Sequence, residues 1–161
     1  MNARVLLIVI VGLAAIVEDL GWRRVSNWTS GGALAGGLIV NSLQKGWPGA
    51  WHSLLGAVIG FAVFLVFFLL GGMGGGDVKL MSGFGALLGD AKILPAALLA
   101  AAAGGVMALA YLASRGIYRR VRIWLGMAVP EALSSEAKSR ESMPYAPAIT
   151  VGALLALVSE M

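Results

Sequence analysis

The chain has 161 residues, 59% of them hydrophobic and only 12% charged, with no cysteine, one histidine and a formal charge of +4. A water-soluble domain is usually about half apolar and about a quarter charged, so lipid is the simpler solvent for this sequence. Disulfides, thiol nucleophiles and thiolate metal sites are excluded. His52 cannot build a metal site alone, no cofactor is expected, and the basic surplus reads as a topology signal rather than a nucleic-acid footprint.

Six apolar segments follow one another, at about Val5–Leu20, Gly31–Leu43, Leu54–Leu70, Leu80–Leu88, Ile93–Ala113 and Ala146–Val158. The first could be read as a signal peptide, but Glu18-Asp19-Leu20-Gly21-Trp22 offers no small-x-small cleavage motif. About 20 residues are needed to cross a ~30 Å hydrocarbon core, which only the third and fifth segments meet comfortably. The others must borrow flanking polar residues, which places some of these below the membrane surface. Gly32/Gly36, Gly56/Gly60 and Gly85/Gly89 have the small-xxx-small spacing that lets helix backbones approach in lipid.

If six spans alternate, one side receives Arg23, Arg24, Lys79, Arg115, Arg119, Arg120, Arg122, Lys138 and Arg140. The other receives Arg4, Lys45 and Lys92. The positive-inside rule makes the first side cytoplasmic and leaves both termini outside. The turn from Lys45 to Trp51 then lies outside, with its tryptophans at the interface. Arg115, Arg119 and Arg122 share one helical face, and Ile117, Val121 and Trp124 the opposite one. That pattern predicts a short amphipathic helix on the anionic leaflet, followed by a mobile polar loop from Pro130 to Ser142. The predicted fold is therefore all-α: a polytopic bundle of about six transmembrane helices plus a short cytoplasmic amphipathic helix. It forms one integral-membrane domain over residues 1–161, with a cytoplasmic loop at about 114–143.

Carboxylates near apolar helices are costly, so their positions are informative. Asp19 closes the first apolar run, about one helical turn, or roughly 6 Å, below the surface marked by Arg23 and Arg24. Asp77 follows the glycine-rich stretch Gly71-Gly72-Met73-Gly74-Gly75-Gly76, on the same side of the membrane. Irregular backbone at that depth is tolerated only where protein buries it or a wet cavity borders it. Two facing carboxylates would share one proton, the ionised partner activating water while the protonated one polarises a peptide carbonyl. Spacing alone leaves a second reading open, in which Asp19 is an interface charge and Asp77 a helix N-cap. The glycine run lacks the Gly-Lys-Ser/Thr of a phosphate loop, and an aspartate there would repel phosphate.

Gly74-Gly75-Gly76-Asp77 with Lys79-Leu80-Met81 resembles the G-x-G-D-x-K-L signature of prepilin peptidases, a branch of the GxGD intramembrane aspartyl proteases. The stretch from Asp19 to Trp28 resembles the first aspartate segment of that family, with Asn27 eight positions after Asp19. Ser26 stands where the family usually has proline. Met143-Pro144-Tyr145-Ala146-Pro147 resembles the opening of the last helix in the small subgroup. The resemblance implies that Asp19 and Asp77 are catalytic, and that Gly74 and Gly76 shape the loop presenting Asp77. It further implies that Lys79 positions Asp77 or substrate, with snorkelling to the surface as the alternative. Asn27 would hold the loop after the first helix, with capping of the second helix as the alternative.

The same resemblance implies a membrane-embedded endopeptidase of the small tight-adherence (Flp) type, cleaving without methylation. It would remove the basic leader of a prepilin or pseudopilin at the cytoplasmic face of the bacterial inner membrane. Its partners would be the prepilin and the lipid bilayer, with no nucleic acid; a homo-oligomer is left open. The competing class is a non-enzymatic transporter or secretion-machine assembly subunit, whose charges would line an ion path.

Overall fold

A computed structural model describes residues 3–71, 73–124 and 145–158, and among these the chain folds as five helices with no strand. Helix α1 covers Ala3–Trp22. Its buried residues, Ile8, Val11, Gly12, Ala15 and Asp19, recur at helical spacing and form one inward stripe that ends in the carboxylate. Leu6, Ile10, Leu13, Val17 and Leu20 face outward. A helix apolar all round, with large side chains on its outer face, suits a lipid environment. The helix ends at Arg23, which takes a left-handed φ of 52° and returns its N–H to the Asp19 carbonyl at 2.9 Å.

Helix α2 covers Asn27–Leu69 and is capped by Ser26, whose Oγ accepts from the Thr29 N–H at 3.2 Å. The second and third predicted segments are thus one element, bent at Gly46 (φ 64°, ψ −147°), and the count of six helices is corrected to five among the described residues. Gly46 supplies the positive φ, and Pro48 two residues later removes a backbone donor. The bend folds the two arms together: Asn41 Nδ2 donates to Ser53 Oγ at 2.6 Å and to the Ala86 carbonyl at 2.9 Å.

Helix α3 covers Gly75–Leu88 and is the centre of the fold. Val78, Leu80, Met81, Phe84, Leu87 and Leu88 are all buried. At 14 residues α3 is too short to cross a bilayer unaided, but the arms of α2 shield it. Close backbone approach makes that packing workable. A methyl on Gly37 would sit 2.5 Å from the Ala86 carbonyl carbon, and one on Gly85 only 2.6 Å from that of Gly56. Of the small-residue pairs in the sequence, Gly56/Gly60 and Gly85 make such contacts, whereas Gly32 faces open space and Gly37, next to Gly36, does the packing.

Helix α4 covers Asp90–Trp124. The amphipathic stretch predicted at Arg115–Trp124 is therefore not a separate surface helix: it forms the last turns of α4, with no proline after Pro95 to stop the helix. The polar loop predicted from Pro130 to Ser142 lies outside the described residues. Helix α5 covers Ala146–Val158 and buries Ala148, Ile149, Ala153 and Ala156. Among the described residues, three elements are long and apolar enough to cross a membrane, Ala3–Trp22, Asn27–Leu69 and Asp90–Ala110. Arg4 bonds to Gln44 at one end of the bundle, while Asp19 bonds to the Ala146 N–H at the other. The rods thus alternate in direction, and Asp19, Arg23, Arg24, Asp77 and Lys79 collect at one end.

Candidate active site

That end contains a cleft of about 280 Å³ lined by Asp19, Arg23, Arg24, Val25, Gly74, Gly75, Gly76, Asp77 and Lys79. Each aspartate reaches it from a different helix end. Asp19 completes the buried stripe of α1, and one more turn would carry it into the polar turn at Arg23. Asp77 sits in the first turn of α3. The two side chains are only 7% and 6% exposed, so both carboxylates are held in the cleft wall and not on the surface.

Each carboxylate uses one oxygen to accept an N–H at the start of a helix. Gly74, in extended conformation (φ −82°, ψ 155°), is the N-cap of α3. Asp77 stands three residues on and accepts the Gly74 N–H on Oδ2 at 3.1 Å. This is the backward arm of a capping box, and it leaves Oδ1 for other chemistry. Asp19 likewise accepts one bond on Oδ2, from the Ala146 N–H at 2.9 Å. Burial and the neighbouring charge of Asp19, opposed by the Gly74 N–H, push the Asp77 carboxyl up to about 7. Asp77 lies outside the three long spans. The raised value favours its protonated form near neutrality.

The remaining predicted residues brace the two aspartate segments. Lys79 Nζ donates to Asn27 Oδ1 at 3.0 Å, tying the start of α2 to the start of α3. Asn27 therefore does not cap α2; that role falls to Ser26, the residue that departs from the family pattern. Gly76 packs against Val25, where a methyl would meet the Val25 Cβ at an ordinary 3.5 Å. Neither Gly74 nor Gly76 needs a positive φ. Among the described glycines of this loop, Gly71 does (φ 78°).

Two elements of the site were not anticipated from the residues. Glu18 closes the α1–α2 turn, accepting the Ser26 N–H at 2.7 Å and the Thr29 hydroxyl at 2.7 Å. This fixes the turn directly beside Asp19, and the signal was available in the spacing of a carboxylate from a Ser-x-x-Thr cap. The Ala146 N–H that holds Asp19 had no such signal, because it comes from 127 positions away. Arg23 and Arg24, taken as orientation anchors, also line the cleft.

A model of the type IV leader peptidase family matches residues 6–109, which include Asp19, Asn27, Gly74, Gly76, Asp77 and Lys79. No match is found among curated proteins or among solved structures.

Proposed function

Since this chain belongs to the type IV leader peptidase family, we propose that it is an aspartyl endopeptidase in which Asp19 and Asp77 activate water to remove the leader of a Flp-type prepilin. The observation that carries the reading is that two buried carboxylates from separate helices line one cleft. Membership implies a peptidase with a prepilin substrate, and the long apolar helices place it in a membrane. The dyad, the Flp-type substrate and the side of the membrane are the further steps.

In the mechanism we propose, Asp77 starts protonated and Asp19 ionised. Asp19 Oδ1, the oxygen that Ala146 leaves unoccupied, takes a proton from water as the water oxygen adds to the scissile carbonyl carbon. Asp77 gives its proton to the carbonyl oxygen, producing a neutral tetrahedral diol. Asp19 then passes its proton to the amide nitrogen as the C–N bond breaks, while Asp77 recovers a proton from the collapsing diol. Protons balance, and the pair returns to its starting state. Holding one oxygen of each aspartate in a backbone hydrogen bond orients the other without a reorganisation cost at the moment of reaction.

The cleft would face the cytoplasm of a bacterial inner membrane, since Arg23, Arg24 and Lys79 gather at its mouth. An apolar substrate helix could then lie in the bilayer with its end unwound at the carboxylates, and the cut would fall after a glycine at the membrane edge. Co-expression with a Flp-type prepilin tests this. A mass decrease equal to the leader supports the reading. Intact prepilin in membranes that contain folded enzyme would refute the substrate assignment.

A further inference from the structure

At the opposite end of the bundle from the aspartates lies a second polar cavity, of about 170 Å³, lined by Arg4, Asn41, Lys45, His52, Asp90 and Lys92 among others. The proposed proteolysis makes no use of it. Asp90 is hydrogen-bonded to His52 Nδ1 at 2.9 Å, and it is the only carboxylate lining the cavity among the described residues. The cationic groups outnumber it.

Arg4 is the telling member. Its Nη2 donates to Asn41 Oδ1 and, at 3.1 Å, to Gln44 Oε1. Both acceptors are neutral amides, so neither compensates the guanidinium charge. Its Nε–H is buried and has no acceptor among the described residues. A buried donor left unpaired costs free energy that a charged acceptor would recover. Trp47 and Trp51, 82% and 54% exposed, flank the site on the bend of α2. Exposed tryptophans mark the headgroup level of a bilayer.

The geometry points to an oxyanion site here, built on Arg4 and Lys45, that takes a phosphate group at the headgroup level of the leaflet opposite the active site. A phospholipid phosphate and free inorganic phosphate share this chemistry. The bound anion would accept the Arg4 Nε–H and bridge the start of α1 to the bend of α2.

The test is thermal unfolding of the purified full chain in neutral detergent, titrated separately with short-chain phosphatidylglycerol, with a diacylglycerol of the same chains, and with inorganic phosphate. Expected is a saturable rise in Tm with phosphatidylglycerol and none with diacylglycerol. A matching rise with inorganic phosphate assigns the site to the free anion as well; its absence assigns it to the lipid headgroup. Arg4→Gln and Lys45→Gln should each need about tenfold more ligand, the loss of one charge-assisted hydrogen bond. Lys45→Gln breaks no hydrogen bond among the described residues, so it decides if Arg4→Gln does not fold. No saturable rise with either phosphate probe, or an unchanged half-point in Lys45→Gln, overturns the site.

Discussion

The substitution Gly85→Ala asks how closely α3 must lie against α2. A methyl there would sit 2.6 Å from the Gly56 carbonyl carbon and 3.0 Å from the Ala57 nitrogen, with the Gly56 carbonyl oxygen nearer still. All three are backbone atoms and cannot rotate away. Ordinary contact begins at 3.4 Å, and the nearer carbonyl oxygen sets the shift, so the helices must separate by more than about 1 Å to leave the repulsive wall of the contact. Overpacking of this kind costs about 1–3 kcal/mol. Alanine returns about 0.5–1 kcal/mol through reduced backbone freedom, leaving a net loss of about 1–2 kcal/mol. Gly32→Ala is the control, since nothing lies within 4 Å of a methyl there, and it should be neutral or slightly stabilising. Gly85 shares a short rigid helix with Asp77, so the displacement should reach the carboxylate. A shift near 1 Å at a reacting group can cost on the order of 100-fold in rate. Denaturation of the detergent-solubilised protein reads the first effect, and leader cleavage the second. If Gly85→Ala proves as stable and as active as Gly32→Ala, the glycine-mediated contact between α2 and α3 is wrong.

Other outcomes follow from the site. The Asp77 carboxyl is pushed up to about 7 from an ordinary 3.8, so the folded protein holds this proton more tightly than the unfolded chain. Its contribution to stability is therefore greatest in acid and falls as the pH rises from about 4 through 7. Cleavage should decline above about pH 7 as Asp77 loses its proton, and in Asp19→Asn the protonated carboxyl band in the infrared should disappear at lower pH, because the neighbouring charge is gone. Lys79→Met breaks only an exposed bond to Asn27. It should cost about 0.5–1 kcal/mol in unfolding and less than about tenfold in cleavage; a complete loss would make Lys79 part of the chemistry. The chain has no cysteine, so single cysteines report orientation directly. Lys45→Cys should react with an impermeant maleimide from outside the cell, and Arg24→Cys only after the membrane is opened; the reverse pattern would invert the topology.

The helical class was legible because it rests on a local pattern, whereas spacing alone left both aspartates open to a plain capping or interface reading and the family resemblance singled them out. The stripe Ile8, Val11, Ala15 and Asp19 repeats at helical spacing, and the glycines before Asp77 mark a break between two apolar segments. The turn at Lys45 to Trp51 was also visible, but its sharpness was not. Gly46 alone leaves helical geometry, so two predicted helices form one bent element. The extension of α4 through the arginine-rich stretch was missed for a related reason: amphipathic periodicity says that a stretch is helical, not that it is a separate helix. Least legible were the contacts between distant segments. Asn41 bridges to Ser53 and Ala86, and the Ala146 N–H reaches Asp19. Such pairings depend on where whole helices settle, which no short window of sequence encodes.

The central claim is that Asp19 and Asp77 act as one catalytic pair. Asparagine matches aspartate in volume but cannot accept and return a proton as a carboxylate does. The most direct measurement is therefore the cleavage rate of a Flp-type prepilin by purified wild type, Asp19→Asn and Asp77→Asn in the same lipid, after confirming that all three fold. The account predicts that each single variant falls by at least about 10³-fold, and that the double variant falls no further than either single one, because removing one member already disables the unit. Cleavage near the wild-type rate by either single variant would contradict it.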